Sequence, residues 1–474
     1  MGNGKTNSLH SGYNPRGEAE RYIASLDLGV NTRHFILIEP GLGYIIAPLR
    51  KKAPGAHVVV LHAGELHCTA AEGPPVPEWR PGSGSGIQEF LESEIPDSEA
   101  GCIKILEWRP ALSSYGAAYL KLVEEAAKYI KRADANHRTV MAFGRRWFRN
   151  FIRNTEIIRE AVSPLRLSAP IVVTGAGPGL EEAIPLIWQE SRKTSLFVLA
   201  VSSSAMALEA GGISPDMTIS TDGGEWARWH LHGIFRGSHP GPLAAAMTAA
   251  LPSQCADMPV LPLSDGSLWQ TIILKDLGIP YLCLPQRGTV AASALDLAYS
   301  LTDGNVYIAG LDLENRDIRS HARPYSLDCF LEEKEARLNP FYSQTYKRSA
   351  MIRAGGSFGI YASWFETQLA SYPRRLFSLG KNNPLFNALE AEGCLKGCQS
   401  PFPEIKTIVM KEKPGKNAFS VLERALRYPE TAEKLAGELS ALLFPGRGNV
   451  CLDEIAQELR TEAERPRRGT NHYG

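Results

Sequence analysis

The sequence has no excess of either charge. It holds 51 lysines and arginines against 51 aspartates and glutamates, so its formal net charge at pH 7 is +0. No field of one sign therefore steers it toward nucleic acid or an acidic membrane. Long apolar runs are missing too: the first twenty residues are polar, and no stretch approaches the length of a membrane span. We expect a cytoplasmic protein with no membrane span and no nucleic-acid partner.

Closely paired cysteines are scarce as well. The eight cysteines are scattered, and the only close pair, Cys394 and Cys398, has three residues between its members. A structural zinc site made of two such pairs, or of one pair and a nearby histidine pair, is not indicated. The sequence therefore predicts reduced thiols and no metal site.

The remaining pattern is that of an α/β protein. Six apolar, strand-like runs alternate with helical segments between residues 165 and 330, which predicts a central Rossmann-like, mostly parallel sheet. Residues 1–110 predict a smaller N-terminal α/β domain, and residues 111–164 predict a connector of two helices. Residues 331–474 predict a helical C-terminal region. Proline, glycine and serine crowd residues 73–100, a composition typical of a surface loop.

A glycine-rich turn lies at the centre of this pattern. The β-branched run 171–173 leads into Gly175, Gly177, Pro178 and Gly179, and an apolar-periodic segment follows from Leu180. Strand, turn and helix in this order make an anion site from backbone amides and the helix dipole. The turn lacks the lysine of a Walker A loop, and Leu180 stands where the dinucleotide fingerprint has glycine. A tight turn without a ligand remains the alternative.

Small polar residues follow the next two strands. Ser202 and Ser203 come after the run 196–201, and Asp222 comes after the run 217–220. The carboxyl ends of parallel strands meet at one edge of a sheet, where ligands bind. These groups are therefore candidates for binding a ribose, a base or a metal, and helix capping is the alternative.

Two further residues are candidates for proton transfer. Asp312 follows the run 305–309, and His321 lies on the loop after it. An imidazole close to the ligand edge is placed for general acid and base chemistry. His230 and His232 are rival candidates.

Four motifs together resemble a known family. They are VVTGAGPGLEEAIPLI, ISPDMTISTD, RGTVAASALDLAYSL and VYIAGLDLENRDIRSHA. In this order they resemble the family shared by motility-associated (Maf-type) flagellin glycosyltransferases and archaeal 6-hydroxymethylpterin diphosphokinases of the MptE-like type. The segments YNPRGEAERYI and LIEPGLGYIIAPL look like the amino-terminal domain of the first group alone. The resemblance covers roughly residues 11–380.

The resemblance implies a bacterial transferase with a sialyltransferase-like central domain. Such an enzyme moves a nonulosonic acid from its CMP-activated form to Ser or Thr of flagellin, without metal and with a histidine base. Carried over by motif, His321 is the base, and Asp312 is its catalytic companion. The donor phosphate would face Gly175, Gly177, Pro178 and Gly179. The nucleotide would lie along Ser202, Ser203 and Asp222. Gly288, Thr289 and Ser293 would close the sugar side.

Two other functions remain open. An ATP-dependent 6-hydroxymethylpterin diphosphokinase would need Mg²⁺ held by carboxylates such as Asp222 and Asp312. A non-catalytic flagellin-binding protein would keep the pocket without the chemistry. The sequence implies no firmly bound cofactor, and it leaves the donor sugar, the acceptor residues and the oligomeric state open.

Overall fold

The computed structural model describes residues 8–465 apart from residues 30, 66, 237–240, 317, 355–356, 369–371, 373–374, 380–394, 402, 411–416 and 448–449. The chain divides into two compact units, residues 1–142 and 143–474. None of the helices described here has both the length and the apolar composition that crossing a membrane requires.

The first unit is built on a small parallel sheet. Its strands are β1 (His34–Ile38), β2 (His57–Leu61), β3 (Glu78–Trp79) and β4 (Ile103–Glu107), in the order β3-β2-β1-β4. All three strand pairings are parallel. The helices of this unit are α1 (Pro15–Ser25), α2 (Ile46–Lys52), α3 (Ile87–Glu94) and α4 (Leu112–Tyr115). β1 and β2 are buried except at their first residues, as expected for strands covered on both faces.

The chain leaves the first unit within α5, a single helix from Ala117 to Ile157. The sequence predicted two helices over this stretch, and the structure joins them. No proline interrupts residues 117–157, and the gap between the two apolar stretches includes alanine, arginine and methionine, which have high helix propensity. Residues 73–100 also differ from the predicted loop, because they contain β3 and α3.

The second unit is built on one large sheet, to which the described residues contribute ten strands. The strands in chain order are β5 (Glu160–Val162), β6 (Ile171–Thr174), β7 (Phe197–Val201), β8 (Met217–Ser220), β9 (Leu243–Ala246), β10 (Val260–Ser264), β11 (Leu282–Cys283), β12 (Val306–Ala309), β13 (Leu376–Ser378) and β14 (Thr407–Val409). Their spatial order is β13-β12-β6-β7-β8-β9-β10-β5-β14, and β11 pairs with β10. Only the β14–β5 pair is antiparallel among the described pairings. The predicted α/β class with a mostly parallel sheet is confirmed.

Helices cover both faces of this sheet. The described helices of this unit after α5 are α6 (Leu180–Ser191), α7 (Ala205–Ala210), α8 (Ala227–Arg236), α9 (Leu268–Leu277), α10 (Val290–Leu301), α11 (Asp328–Glu332), α12 (Phe341–Ala354), α13 (Ser357–Gln368), α14 (Ala418–Ala425), α15 (Pro429–Leu443) and α16 (Leu452–Glu464). Alternate residues of β6 point to opposite faces: Ile171 and Val173 join the core under α10, whereas Val172 joins the core under α6. This is the doubly wound arrangement.

The strand order reverses beside β6. From β6 the chain proceeds through β7, β8, β9 and β10 on one side, and then returns to place β12 on the other side. In open parallel sheets, ligands bind at the carboxyl ends of the two strands where the order reverses. The glycine turn follows β6 and Asp312 follows β12, so both lie at this position.

The C-terminal helices are attached to this unit by polar contacts. Both carboxylate oxygens of Glu438 on α15 accept backbone N–H groups at the start of α9, at 3.1 and 3.0 Å. The buried carboxylate of Glu462 on α16 accepts two hydrogen bonds from Arg149, at 2.8 and 2.7 Å. The segment predicted as a separate helical region, 331–474, also supplies β13 and β14 to the sheet. The finer division at residues 110, 164 and 330 stays a prediction.

Candidate functional site

The glycine turn is held tightly against the end of β12. The amide of Gly175 donates to the carbonyl of Ala309 at 2.8 Å, and that of Gly177 donates to the carbonyl of Gly310 at 2.7 Å. Pro178 has no N–H to offer. Two amides that could have met a phosphate are therefore used within the fold.

Asp312 occupies the start of α6. Its carboxylate accepts a hydrogen bond from the amide of Gly179, and a negative charge at this point is favoured by the helix dipole. Burial raises the pKa of Asp312, while the Gly179 amide and the nearby Arg316 guanidinium oppose that rise. The turn thus holds an anion that the chain itself supplies.

Glycine is required for this contact. A Cβ at Gly177 would lie 2.6 Å from Asp312 Oδ2, and one at Gly179 would lie 2.5 Å from Asp312 Oδ1. Both distances are far inside van der Waals contact, so only glycine lets the carboxylate reach the turn.

Of the three serines after β7, Ser204 contacts the end of β6, just before the glycine turn. Ser204 Oγ lies 3.0 Å from Thr174 Oγ1 and also reaches the Thr174 carbonyl at 3.0 Å. Ser202 is buried and Ser203 is half-buried. Sequence reasoning singled out Ser202 and Ser203, but Ser204 makes the contact with the end of β6.

Asp222 is exposed at the end of β8. Its Oδ1 accepts the amide of Gly224 at 2.7 Å, which forms the turn into α8. Its negative charge acts on two half-buried rings: it raises the pKa of Tyr361 after the larger effect of burial, and it partly offsets the lowered pKa of His230.

The predicted sugar-side residues form the start of α10. Thr289 is its N-cap, and its side chain accepts the amide of Ala292 at 3.0 Å. Ser293 is buried and its hydroxyl reaches the Thr289 carbonyl at 3.4 Å. Gly288 is exposed, with no atom within 4 Å of where a Cβ would stand.

His321 lies in a stack of aromatic rings. Its ring is nearly parallel to that of Tyr325, with centroids 4.1 Å apart and 15° between the planes. Its Nδ1 lies 2.8 Å from Ser320 Oγ. His230 approaches Tyr325 at 5.5 Å between centroids and hydrogen-bonds Ser326 Oγ at 2.9 Å. The side chain of the other rival, His232, lies outside the described residues.

Both histidines are neutral at physiological pH. Burial lowers the pKa of His321 to about 3, helped by His230, Arg348 and Arg323. Burial lowers the pKa of His230 to about 4, helped by Arg348. A neutral imidazole is the form that can accept a proton.

A small cleft opens beside His321. It is lined by Arg319, Ser320, His321, Arg323, Tyr325, Asp328, Leu331, Thr345, Arg348 and Ser349. Two of its arginines are paired: Arg323 with Asp328 at 3.1 Å and Arg319 with Glu181 at 2.8 Å. Within the described part of the chain, no carboxylate lies in ion-pairing distance of Arg348.

The cleft connects to the glycine turn through the backbone. The amide of Ala322 donates to the carbonyl of Ala176 at 2.8 Å, and the amide of Arg323 donates to Glu181 Oε1 at 2.9 Å. No hydrogen bond or ion pair among the described residues joins Asp312 or Asp222 to His321 directly. The structure therefore places His321 next to the turn, while Asp312 contacts the turn itself.

Sequence reasoning missed the arginines of this cleft. Arg319 and Arg323 flank His321 in the segment RSHARPY, and this spacing could have indicated that arginines surround the histidine. Arg348 lies on α12, far along the chain, and no local pattern connects it to His321.

Comparisons with known proteins support the predicted family resemblance for part of the chain. Residues 146–317 match the family model described as 6-hydroxymethylpterin diphosphokinase MptE-like. This stretch is an MptE-like domain, and the resemblance predicted from the motifs is confirmed for it. An uncharacterized protein of Treponema pallidum (strain Nichols) is 29% identical over 241 residues, which are 51% of this chain and 52% of that relative. The chain thus matches about half the length of this relative.

A solved structure is also similar to this chain. It is the structure of MAf glycosyltransferase from Magnetospirillum magneticum AMB-1, with a TM-score of 0.43 and 16% sequence identity. The similarity covers 65% of this chain and 57% of that one.

Proposed function

We propose that this chain is a glycosyltransferase that moves a nonulosonic acid from a CMP-activated donor to a Ser or Thr hydroxyl of flagellin. The observation that carries the proposal is the cleft in which a neutral His321 faces the guanidinium groups of Arg323 and Arg348. A nonulosonic acid bears a carboxylate and its CMP donor bears a phosphate. Arginine binds both groups well, because its planar fork donates two parallel hydrogen bonds.

The proposed proton transfer follows from the hydrogen bond of His321. In the tautomer whose Nδ1 donates to Ser320 Oγ, Nε2 carries the lone pair. Nε2 takes the proton of the acceptor hydroxyl while its oxygen forms the new bond to the anomeric carbon. The bond from that carbon to the phosphate oxygen breaks, and CMP leaves with the electron pair.

Donor binding would adjust the basicity of His321. Its pKa is lowered to about 3 mainly by burial, and the neighbouring Arg348 and Arg323 guanidinium groups lower it further. A bound phosphate and carboxylate bring negative charge to the same cleft, which favours the imidazolium and raises the pKa toward the working range. The arginines would stabilise the charge of the leaving phosphate, so the proposed step is metal-independent.

The proposed donor site includes three further groups of residues. We propose that the donor phosphate lies over Gly175, Gly177, Pro178 and Gly179, that the nucleoside lies along Ser202, Ser203 and Asp222, and that Gly288, Thr289 and Ser293 border the sugar. Asp312 then gives up its hydrogen bond from Gly179 as the phosphate arrives, because two anions repel each other at one helix start.

Binding and transfer by the purified chain test this proposal. We expect CMP to raise the melting temperature and His321→Ala to abolish transfer to flagellin while CMP binding persists. His137→Ala, a half-buried histidine on α5, serves as the matched control and should leave transfer unchanged. Transfer by His321→Ala at the normal rate would exclude His321 as the base. An unchanged flagellin mass in a strain lacking this protein would exclude the transferase.

The second candidate is an ATP-dependent 6-hydroxymethylpterin diphosphokinase. The description of the matching family model favours it. In this case, Asp222 and Asp312 would hold Mg²⁺ for the transfer of diphosphate. Stabilisation by ATP with Mg²⁺ but not by CMP, together with diphosphate transfer to the pterin alcohol, would decide for it. Flagellin binding without either reaction would indicate a non-catalytic binding protein.

A further inference from the structure

Four polar side chains meet inside the first unit, at the carboxyl edge of its sheet. Glu39 follows β1, His62 follows β2, Cys68 lies in the loop after β2, and Glu78 begins β3. Glu39 and His62 are completely buried, Cys68 is 9% exposed and the side chain of Glu78 is 13% exposed. A parallel sheet brings the ends of its strands together, so residues from separate segments form one cluster here.

Three of these side chains aim ligand atoms at a common point. His62 Nε2 lies 3.8 Å from Cys68 Sγ and 3.6 Å from Glu78 Oε2. The ligand atoms of the three residues all lie within 4.8 Å of one another. Bonds of about 2.0–2.3 Å to a tetrahedral Zn²⁺ put neighbouring ligand atoms roughly 3.3–3.6 Å apart. The observed separations from His62 are within a few tenths of an ångström of that geometry.

Glu39 holds His62 in the orientation that a metal ligand needs. Its Oε1 lies 3.2 Å from His62 Nδ1, and its Oε2 accepts the amide of Ala63 at 2.5 Å. With Nδ1 donating to this carboxylate, the lone pair of Nε2 points toward Cys68 and Glu78. Carboxylate–histidine pairs of this kind fix the tautomer of metal-binding histidines.

The backbone of Glu39 is also unusual. Its φ is 43°, in the left-handed region that residues other than glycine rarely adopt. Such strain persists where the surrounding structure requires a particular side-chain position, and it gathers at functional sites. Here it delivers the carboxylate to His62.

We propose that His62, Cys68 and Glu78 bind a divalent transition-metal ion, with Zn²⁺ as the preferred ion and Glu39 as the positioning residue. Imidazole, thiolate and carboxylate are the donors that Zn²⁺ takes in proteins, and water completes the tetrahedron. The charges balance: the three negative charges of the Cys68 thiolate, Glu78 and Glu39 offset the two positive charges of the ion and the one of Arg80, which lies 3.1 Å from Glu78 Oε2.

The cluster has one alternative explanation without a metal. A protonated His62 would bridge Glu39 and Glu78 as an ion-pair network, and His67 and Arg80 would complete it from the surface side of Glu78. Cys68 separates the two explanations, because its sulfur binds the metal in the first and stays a thiol hydrogen-bonded to Glu78 in the second.

Metal analysis of the purified full-length chain tests the site. We expect one zinc ion per chain by elemental mass spectrometry after dialysis against Zn²⁺, and a higher melting temperature with Zn²⁺ than with a chelator. Co²⁺ in place of Zn²⁺ should give a thiolate-to-cobalt charge-transfer band in the near ultraviolet. The band should disappear in Cys68→Ser and persist in the control Cys102→Ser, whose half-buried thiol lies in the same unit.

The positioning role of Glu39 has its own measurement. Glu39→Gln keeps the size of the side chain but removes its charge, and metal affinity should fall about 10–100-fold. Circular dichroism spectra matching the wild type would show that the variants fold. A wild-type chain that binds neither Zn²⁺ nor Co²⁺, or a Cys68→Ser variant that keeps the charge-transfer band, would overturn the proposal. The site lies outside residues 146–317, so its test is independent of the proposed transferase activity.

Discussion

The contact between the glycine turn and the end of β12 predicts that Gly175→Ala destabilises the fold. The added methyl group would lie 2.5 Å from the carbonyl oxygen of Gly310 and 2.7 Å from Leu311 Cδ1. The nearest atom belongs to the backbone, so a side-chain rotation cannot relieve the clash. The turn must move away from β12, which weakens the hydrogen bonds from Gly175 and Gly177.

The expected cost combines two effects. Overpacking of this kind costs about 1–3 kcal/mol, and a weakened backbone hydrogen bond adds about 1 kcal/mol. Gly175→Ala should therefore lower the free energy of unfolding by roughly 2–4 kcal/mol. Gly288→Ala is the matched control, because its methyl group would meet nothing within 4 Å. Its effect should stay within about 0.5 kcal/mol.

Denaturant titration followed by circular dichroism measures both changes. A third variant identifies the partner: the methyl group of Gly179→Ala would meet the carboxylate of Asp312 rather than backbone. Adding Asp312→Ala should recover stability in Gly179→Ala but not in Gly175→Ala. Equal stability of Gly175→Ala and Gly288→Ala would refute the close approach of the turn to β12.

Two further predictions concern stability. His230 and His321 have lowered pKa values, so the unfolded chain binds protons below about pH 6.5 that the folded chain excludes. The contribution of these neutral histidines to stability should be fully present above that pH, and the free energy of unfolding should fall by up to about 1.4 kcal/mol per pH unit for each histidine toward pH 4. Melting temperatures at pH 7.5 and pH 5 check this. The variant His230→Gln should make the decline shallower. Glu462→Ala removes the two hydrogen bonds from Arg149 and should cost about 1–3 kcal/mol. The exposed Glu464→Ala should cost less than about 0.5 kcal/mol, and equal melting temperatures for these two variants would contradict the role of Glu462.

The central sheet was largely predictable because its strands carry strong local signals. The six apolar runs between residues 165 and 330 correspond to β6, β7, β8, β10, β11 and β12. β9 was missed because Leu243–Ala246 reads Leu-Ala-Ala-Ala, which has no β-branched residue. β5 and β14 have three residues each, and only their pairing with neighbours makes them strands.

The candidate site was predictable in its parts but not in its contacts. The sequence pointed to His321 and Asp312, yet nothing in it shows that Asp312 hydrogen-bonds Gly179 or that Arg348 lies beside His321. These contacts join positions more than twenty residues apart. Local pattern carries no information about such distances, because packing of the sheet and helices decides them.

The cluster in the first unit was hidden for the same reason. Glu39 and His62 each follow a strand, Cys68 lies in a loop and Glu78 begins a third strand, and the search for cysteine pairs does not detect a site with a single cysteine. Glu78 also falls in the segment whose proline and glycine content predicted a loop.

The two edges of the large sheet carry a consequence for biosynthesis. Both edge strands, β13 and β14, come from residues 376–409, after every other strand of the sheet has been synthesised. While the chain emerges from the ribosome, one backbone edge of β12 and one of β5 therefore remain unpaired. At usual elongation rates this lasts on the order of ten seconds. Unpaired edges recruit other strands. Premature termination before residue 376 would leave both edges permanently open, so truncated products of this chain should be captured by chaperones or aggregate rather than accumulate as free protein.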